Sequence, residues 1–158
     1  MINQFEKDID SAYMLGILEE RLGNVSELAG SYDVVILPVS MKPDGDLLSP
    51  TTAYIKGLIK ESGLNPAIAK KDPYKYIAQY SAEAIYPQLL ILNDAVVGVI
   101  LGIFANYIYD NFIKNPKSNE NIKITYTQYD ILDHKFVEKT IEGPAQEVVE
   151  LLGGHKGK

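Results

Sequence analysis

Cysteine is absent from this chain of 158 residues, and only two histidines are present. Disulfide bonds and thiolate metal sites are therefore excluded, and two histidines are too few for a histidine-rich metal centre. The Asp-Gly-Asp sequence at 44–46 lacks the further ligands at fixed spacing that an EF-hand requires. We therefore expect no metal and no cofactor, and a cysteine-free chain fits a cytoplasmic protein.

Positive charge is also scarce. The chain has 15 Lys and Arg residues against 21 Asp and Glu residues, which gives a net charge of −6. No segment concentrates lysine or arginine, whereas binding to nucleic acid or to an anionic membrane surface depends on a positive field. The composition therefore argues against a nucleic-acid partner and makes a membrane partner unlikely.

A long hydrophobic run is missing as well. The longest uninterrupted apolar run is Ala95–Ala105, which as a helix would extend only about 16 Å, and a membrane span needs about 20 apolar residues. A wider window from 88 to 109 must include the polar residues Asn93, Asp94 and Asn106. We therefore expect a buried helix over about 88–113 in a soluble protein. A membrane-attached accessory protein that uses this helix is the second alternative to the function favoured at the end of this section.

The periodicity of apolar residues predicts an α/β or α+β fold with a mixed sheet of about four or five strands. We expect a single globular domain at 1–152 and a flexible tail at 153–158. The expected elements are, in order, a helix at 4–22, a buried strand at 34–39, a helix at 50–62, a short strand at 66–71, the long buried helix at about 88–113, an antiparallel β pair at 122–129 and 135–141, and a short final helix after Pro144. The segment from 34 to 71 therefore has a βαβ-like order. Residues 73–87 fit either a helix or a strand, and a strand at 75–80 is preferred.

The loop at 40–52 is the candidate ligand site. It follows the first buried strand and precedes a helix, which is where open α/β sheets bind ligands, and backbone N–H groups at a helix start can hold an anion. The candidate anion-binding or ligand-binding residues are Lys42, Ser49, Thr51 and Thr52. The loop matches neither nucleotide-binding glycine pattern, so the simpler interpretation is a surface loop in which Ser49 caps the helix.

Two further groups are candidate interface residues. Tyr74, Tyr76 and Tyr80 belong to the densest aromatic cluster, and tyrosine is a common residue at interfaces. Gly98 and Gly102 lie on one line of the long helix, where each glycine costs about 1 kcal/mol relative to alanine. This cost indicates that something packs closely there, either the protein's own sheet or helix, or a partner helix.

No nucleophile, base and acid occur in a spacing that indicates catalysis, so we assign no catalytic residue. The favoured function is a non-enzymatic binding or self-assembly module that acts with a protein partner or as a homo-oligomer. The alternative is a small enzyme or nucleotide- or anion-binding domain that uses the loop at 40–52.

Overall fold

The structure is a computed structural model, and it describes residues 2–77, 88–110, 121–130 and 132–153. These residues form two sheets and five α-helices. The elements in chain order are β1 (Asn3–Ile9), α1 (Ser11–Arg21), α2 (Val25–Ser31), β2 (Val34–Leu37), β3 (Ser40–Lys42), β4 (Gly45–Leu48), α3 (Thr52–Glu61), β5 (Pro66–Ile68), β6 (Tyr74–Tyr76), β7 (Gln88–Ile91), a 3₁₀ turn (Asp94–Val96), α4 (Val97–Ile108), β8 (Asn121–Asp130), β9 (Lys135–Pro144) and α5 (Ala145–Leu152).

The main sheet has six strands in the order β1-β9-β8-β7-β2-β5. The β2/β5 and β7/β8 pairs are parallel, and the β2/β7, β8/β9 and β1/β9 pairs are antiparallel. A second sheet has three strands in the order β3-β4-β6. The predicted mixed α/β fold class is confirmed, and the main sheet is larger than the four or five strands expected.

Two hydrophobic cores lie on opposite faces of the main sheet. On one face, α3, α4 and α5 pack on Ile36 and its neighbours, and Phe104 of α4 is fully buried there. On the other face, α1 and α2 pack on Val35 and Phe136. Every residue of β2 is buried, as the continuous apolar run at 34–39 predicts. The parallel β2–α3–β5 arrangement also confirms the predicted βαβ-like order.

The predicted helix at 4–22 is wrong over its first part. Residues Asn3–Ile9 form β1, which pairs antiparallel with β9, and α1 begins only at Ser11. The carboxylate of Asp10 accepts the N–H of Ala12 and caps this helix. The apolar residues at helical spacing could not reveal that β9 would pair with residues 4–9 of this segment.

The predicted long helix at about 88–113 is also corrected. Residues Gln88–Ile91 form β7, which lies between β2 and β8, and α4 covers only Val97–Ile108. A short apolar run buried on both faces suits a central strand as well as a helix, and periodicity does not separate the two. Residues 111–113 lie outside the described part of the chain.

The remaining expectations are mostly met. The antiparallel β8/β9 pair and the final helix α5 are confirmed.

Strand β6 covers 74–76 of the ambiguous segment, and residues 78–87 lie outside the described residues. The loop expected at 40–52 is instead a β3/β4 hairpin followed by a turn into α3. Of the expected tail, Gly153 ends α5 in a left-handed conformation, and residues 154–158 are outside the described residues.

Candidate functional site

The outward side of α4 carries no charge and is apolar apart from the exposed Asn106 near its end. No residue of Val97–Ile108 is charged, and the inward residues include the buried Ile100 and Phe104. On the outward side, Gly98 and Val99 are exposed and Gly102 is half-buried. Val99 is 45% exposed, which leaves an aliphatic side chain open to solvent beside the two glycines.

The two glycines of α4 are not covered by the described chain. A methyl group added at Gly98 or at Gly102 would meet no atom within 4 Å. The described sheet and helices therefore do not make the close crossing that was one explanation for these glycines. The backbone of α4 is instead accessible along this line, as a close partner would require.

The neighbouring helices add exposed apolar area to the same layer. Tyr54 of α3 is 54% exposed, and its ring centroid lies 5.7 Å from that of Tyr107 of α4. Leu151 of α5 is 44% exposed. Exposed apolar side chains therefore occur on each helix of this layer. We call the set Tyr54, Gly98, Val99, Gly102 and Leu151 the helix-layer surface.

The predicted ligand residues of the loop at 40–52 are distributed along the β3/β4 hairpin. Lys42 is exposed and pairs with Gly45, at the opposite end of β4 from Ser49. Ser49 and Thr52 are buried. The Ser49 hydroxyl lies 2.8 Å from that of Thr51, and the Thr52 hydroxyl donates to the Ser49 carbonyl. Ser49, Thr51 and Thr52 are therefore joined by hydrogen bonds, whereas Lys42 does not lie beside them. Anion binding by these residues stays a prediction.

The start of α3 differs in detail from the prediction that Ser49 is its cap. The helix begins at Thr52, with Thr51 in the capping position. The Ser49 hydroxyl accepts the N–H of Thr51 at 3.2 Å and so supports the turn before the helix. Ser49 therefore stabilises the approach to α3 and is not its N-cap residue.

A buried ion pair connects α1 to the second sheet. Arg21 Nη2 lies 2.8 Å from Asp46 Oδ1, and Arg21 Nε lies 3.2 Å from Asp46 Oδ2. The two side chains are only 6% and 2% exposed. The hydrogen bond to Asp46 raises the pKa of Arg21, against the opposing effect of burial. Asp46 Oδ2 also accepts the N–H of Lys71, so one carboxylate joins α1, β4 and the segment after β5.

A cavity of about 330 Å³ lies beside this ion pair, where the hairpin follows the carboxyl end of β2. Open α/β sheets bind ligands at such ends. The charged residues of its lining are Glu20, Arg21, Lys42, Asp46, Lys71 and Asp72. The three acids balance the three bases, so charge alone favours neither an anionic nor a cationic ligand.

The tyrosine cluster is only partly within the described residues. The rings of Tyr74 and Tyr76 meet edge to face with centroids 6.1 Å apart, and Tyr76 is 53% exposed. Lys70 Nζ lies 4.4 Å from the centroid of the Tyr74 ring and 3.2 Å from its hydroxyl. The hydrogen bond to Tyr74 raises the pKa of Lys70. Tyr80 lies outside the described part, and the interface role of these tyrosines stays a prediction.

Sequence reasoning missed the Arg21–Asp46 pair, although a signal for it is present. Arg21 is the single arginine among 15 basic residues. A guanidinium can form two parallel hydrogen bonds with a carboxylate, whereas the ammonium of a lysine cannot. The single arginine is therefore the basic residue of this chain best suited to form such a pair.

No helix in the described part of the chain is long and apolar enough to cross a lipid bilayer. The fold and these surfaces define a mixed α/β protein with helices on both faces of a six-stranded sheet. No protein-family model, curated protein or solved structure gives a significant match to this chain.

Proposed function

We propose that this protein is a non-enzymatic self-assembly module of the cytoplasm, and that copies associate through the helix-layer surface. The observation that carries the proposal is the outward side of α4, which is uncharged, partly exposed and open at Gly98 and Gly102. Small residues allow two helix backbones to approach closely, and exposed apolar patches occur at protein contacts. The absence of cysteine from all 158 residues is in keeping with a reducing compartment.

A two-fold arrangement is the simplest form of this contact. Most homo-oligomers have closed symmetry, in which the same patch meets itself across the axis. The α4 helix of one copy then packs on the α4 helix of the next, with Val99 of each copy beside the glycine line of the other. Tyr54 of α3, whose ring lies beside that of Tyr107, is a further exposed aromatic residue of the same helix layer.

The experiment measures the mass of the protein in solution over a wide concentration range. We expect a mass above the 17.5 kDa of one chain, falling on dilution. Val99→Lys places a charge in the contact and should lower the mass at a given concentration. Leu132→Lys is the matched control, because Leu132 is an aliphatic residue 87% exposed at the β8–β9 turn, away from the helix layer.

Gly102→Leu separates the assembly from the stability of one chain. A Cβ atom added at Gly102 meets no atom within 4 Å, and a leucine is a better helix former than glycine, so we expect the unfolding of the dilute protein not to be destabilised. The same substitution should weaken the assembly, because overpacking a close helix contact costs about 1–3 kcal/mol. A wild-type protein that stays at the mass of one chain at every concentration would contradict the proposal. So would a Val99→Lys variant that assembles as the control does.

A further inference from the structure

Strand β1 is an unusual edge of the main sheet. It has seven residues, pairs on one side with β9, and pairs with none of the described strands on its other side. Six of its seven residues are exposed, including Phe5 at 57%. A long exposed edge presents a row of backbone N–H and C=O groups that can pair with another strand. Proteins commonly block such an edge with charged residues, and β1 carries Glu6, Lys7 and Asp8.

Two of the three charges of β1, those of Glu6 and Lys7, face opposite charges on β9, and Asp8 faces Val137. Lys7 Nζ lies 3.6 Å from Glu138 Oε1 on β9. Glu6 stands opposite Lys139 in the same pair of strands. These charges therefore do not by themselves prevent a strand from pairing with the outer edge, provided that the incoming strand places no like charge opposite them.

We propose that the outer edge of β1 pairs antiparallel with β1 of a second copy, with Phe5 opposite Phe5. A two-fold axis perpendicular to the sheet keeps each face of the combined sheet continuous. Residues that stand opposite each other across the axis must then lie on the same face, so the axis passes through one residue of β1 and pairs it with itself. Centring the axis on Glu6 would place two glutamates opposite each other, and centring it on Lys7 would do the same to two lysines. Centring it on Phe5 avoids both repulsions over a long overlap.

This register makes the strand complementary to itself. Gln4 of one copy lies opposite Glu6 of the other, and its amide N–H can donate to that carboxylate. Asn3 lies opposite Lys7, whose ammonium can donate to the amide oxygen. The two Phe5 rings meet at the axis, where aromatic pairs stabilise a sheet. The occupant of this edge is therefore a second copy of the chain, and the two six-stranded sheets become one continuous sheet.

The β1 contact does not rest on the helix-layer surface, and the two are separable by mutation. In the Val99→Lys background, the β1 contact should still give a dimer. Loss of the α4 contact and loss of the β1 contact therefore change the mass independently. If both contacts form, each copy has two different two-fold contacts and the assembly grows beyond a dimer.

Cross-linking tests the register directly, because the natural chain contains no cysteine. In the proposed pairing, residue 4 of one copy is opposite residue 6 of the other, with Cα atoms about 4.5–5.5 Å apart. That separation is within the range for a disulfide of about 4.4–6.8 Å. A mixture of Gln4→Cys and Glu6→Cys, both retaining Phe5, should form a cross-linked heterodimer under mild oxidation.

Each variant alone is the matched control. In a dimer of Gln4→Cys with itself, or of Glu6→Cys with itself, the two thiols are offset by two positions along the strands, about 7 Å. Each single variant should therefore cross-link at least about tenfold more slowly than the mixture. Efficient cross-linking of Glu6→Cys with itself would overturn the register. A mixture that cross-links no faster than either variant alone would overturn the contact.

A charge exchange provides a second measurement that leaves the backbone unchanged. Gln4→Glu places two carboxylates opposite each other at both ends of the contact, and should raise the dissociation constant by about tenfold. Within its own chain Gln4 is opposite Ile141, so no such repulsion arises there. Adding Glu6→Gln restores a carboxylate–amide pair and should recover the association. A double variant that associates as weakly as Gln4→Glu would contradict the proposed pairing.

Discussion

The guanidinium of Arg21 and the carboxylate of Asp46 form two hydrogen bonds in a buried position. Removing one partner of such a pair leaves a charge without compensation away from water, at a typical cost of about 3–5 kcal/mol. We expect Asp46→Asn to lower the free energy of unfolding by an amount in this range, measured by urea denaturation.

The control for this prediction is Glu20→Gln. Glu20 also pairs with Arg21, at 2.9 Å, but its side chain is 50% exposed. Exposed ion pairs contribute at most about 1 kcal/mol, so the control should remain close to the wild type. Equal stabilities of Asp46→Asn and Glu20→Gln would show that the buried position of the pair has no energetic effect.

Gly45 should not tolerate a side chain. Its φ of +145° is rarely adopted by other residues, and a Cβ atom there would lie 2.9 Å from the carbonyl oxygen of Pro73. We expect Gly45→Ala to destabilise the protein by about 1–3 kcal/mol. Gly57→Ala, inside α3 with nothing within 4 Å, should instead stabilise by about 1 kcal/mol. Thermal unfolding of both variants, with shifts of opposite sign, is the test.

Asn93 should stabilise the start of the helical segment that leads into α4. Its side-chain oxygen accepts the N–H of Ala95 at 3.0 Å, and its side-chain nitrogen donates to Asp33 Oδ1 at 3.1 Å. Loss of such a cap costs about 0.5–2 kcal/mol, so Asn93→Ala should unfold at a lower urea concentration. Asn106→Ala, at an exposed position of α4, should be neutral or slightly stabilising at low protein concentration.

Stability should fall in alkaline solution because of Tyr126. Burial raises the pKa of this tyrosine in the folded protein, and Glu6 adds to the effect. Above a pH of about 10 the unfolded chain loses the phenolic proton while the folded chain retains it, so rising pH favours unfolding. Tyr126→Phe should make this decline shallower in urea titrations. Tyr13→Phe is a control at an exposed tyrosine, and a decline as steep in Tyr126→Phe as in the wild type would contradict the assignment.

Sequence reasoning predicted the elements whose patterns are determined locally. The run at 34–37, the β8/β9 pair and α5 each have a periodicity that matches their structure. The prediction was wrong where pairing with a strand from a distant part of the sequence makes a segment a strand and not a helix. Residues Asn3–Ile9 are a strand because β9 lies beside them, and Gln88–Ile91 are a strand because β2 and β8 flank them.

The candidate surfaces were predictable to different degrees. The glycines at 98 and 102 indicated a close contact from helix propensity alone, and the structure adds that the described chain leaves them open. The hairpin that separates Lys42 from Ser49 was not predicted, because strands of three and four residues are too short to show a periodicity. The single arginine is a signal for the Arg21–Asp46 pair, but no local pattern identifies Asp46, 25 residues away, as its partner.

The pairing of β1 also has a consequence for how the chain folds. Residues of β1 and β9 that face each other lie about 130 residues apart along the chain, so their pairing closes a very long loop. Because six of the seven residues of β1 are exposed, its backbone pairing with β9 is the main interaction that opposes its separate release from the sheet. Its amide protons should therefore exchange with solvent long before those of β2. Association of two copies through β1 would slow that exchange. In the single chain β1 is the strand that opens most easily, and in the assembly it would become the strand whose amide protons gain the most protection.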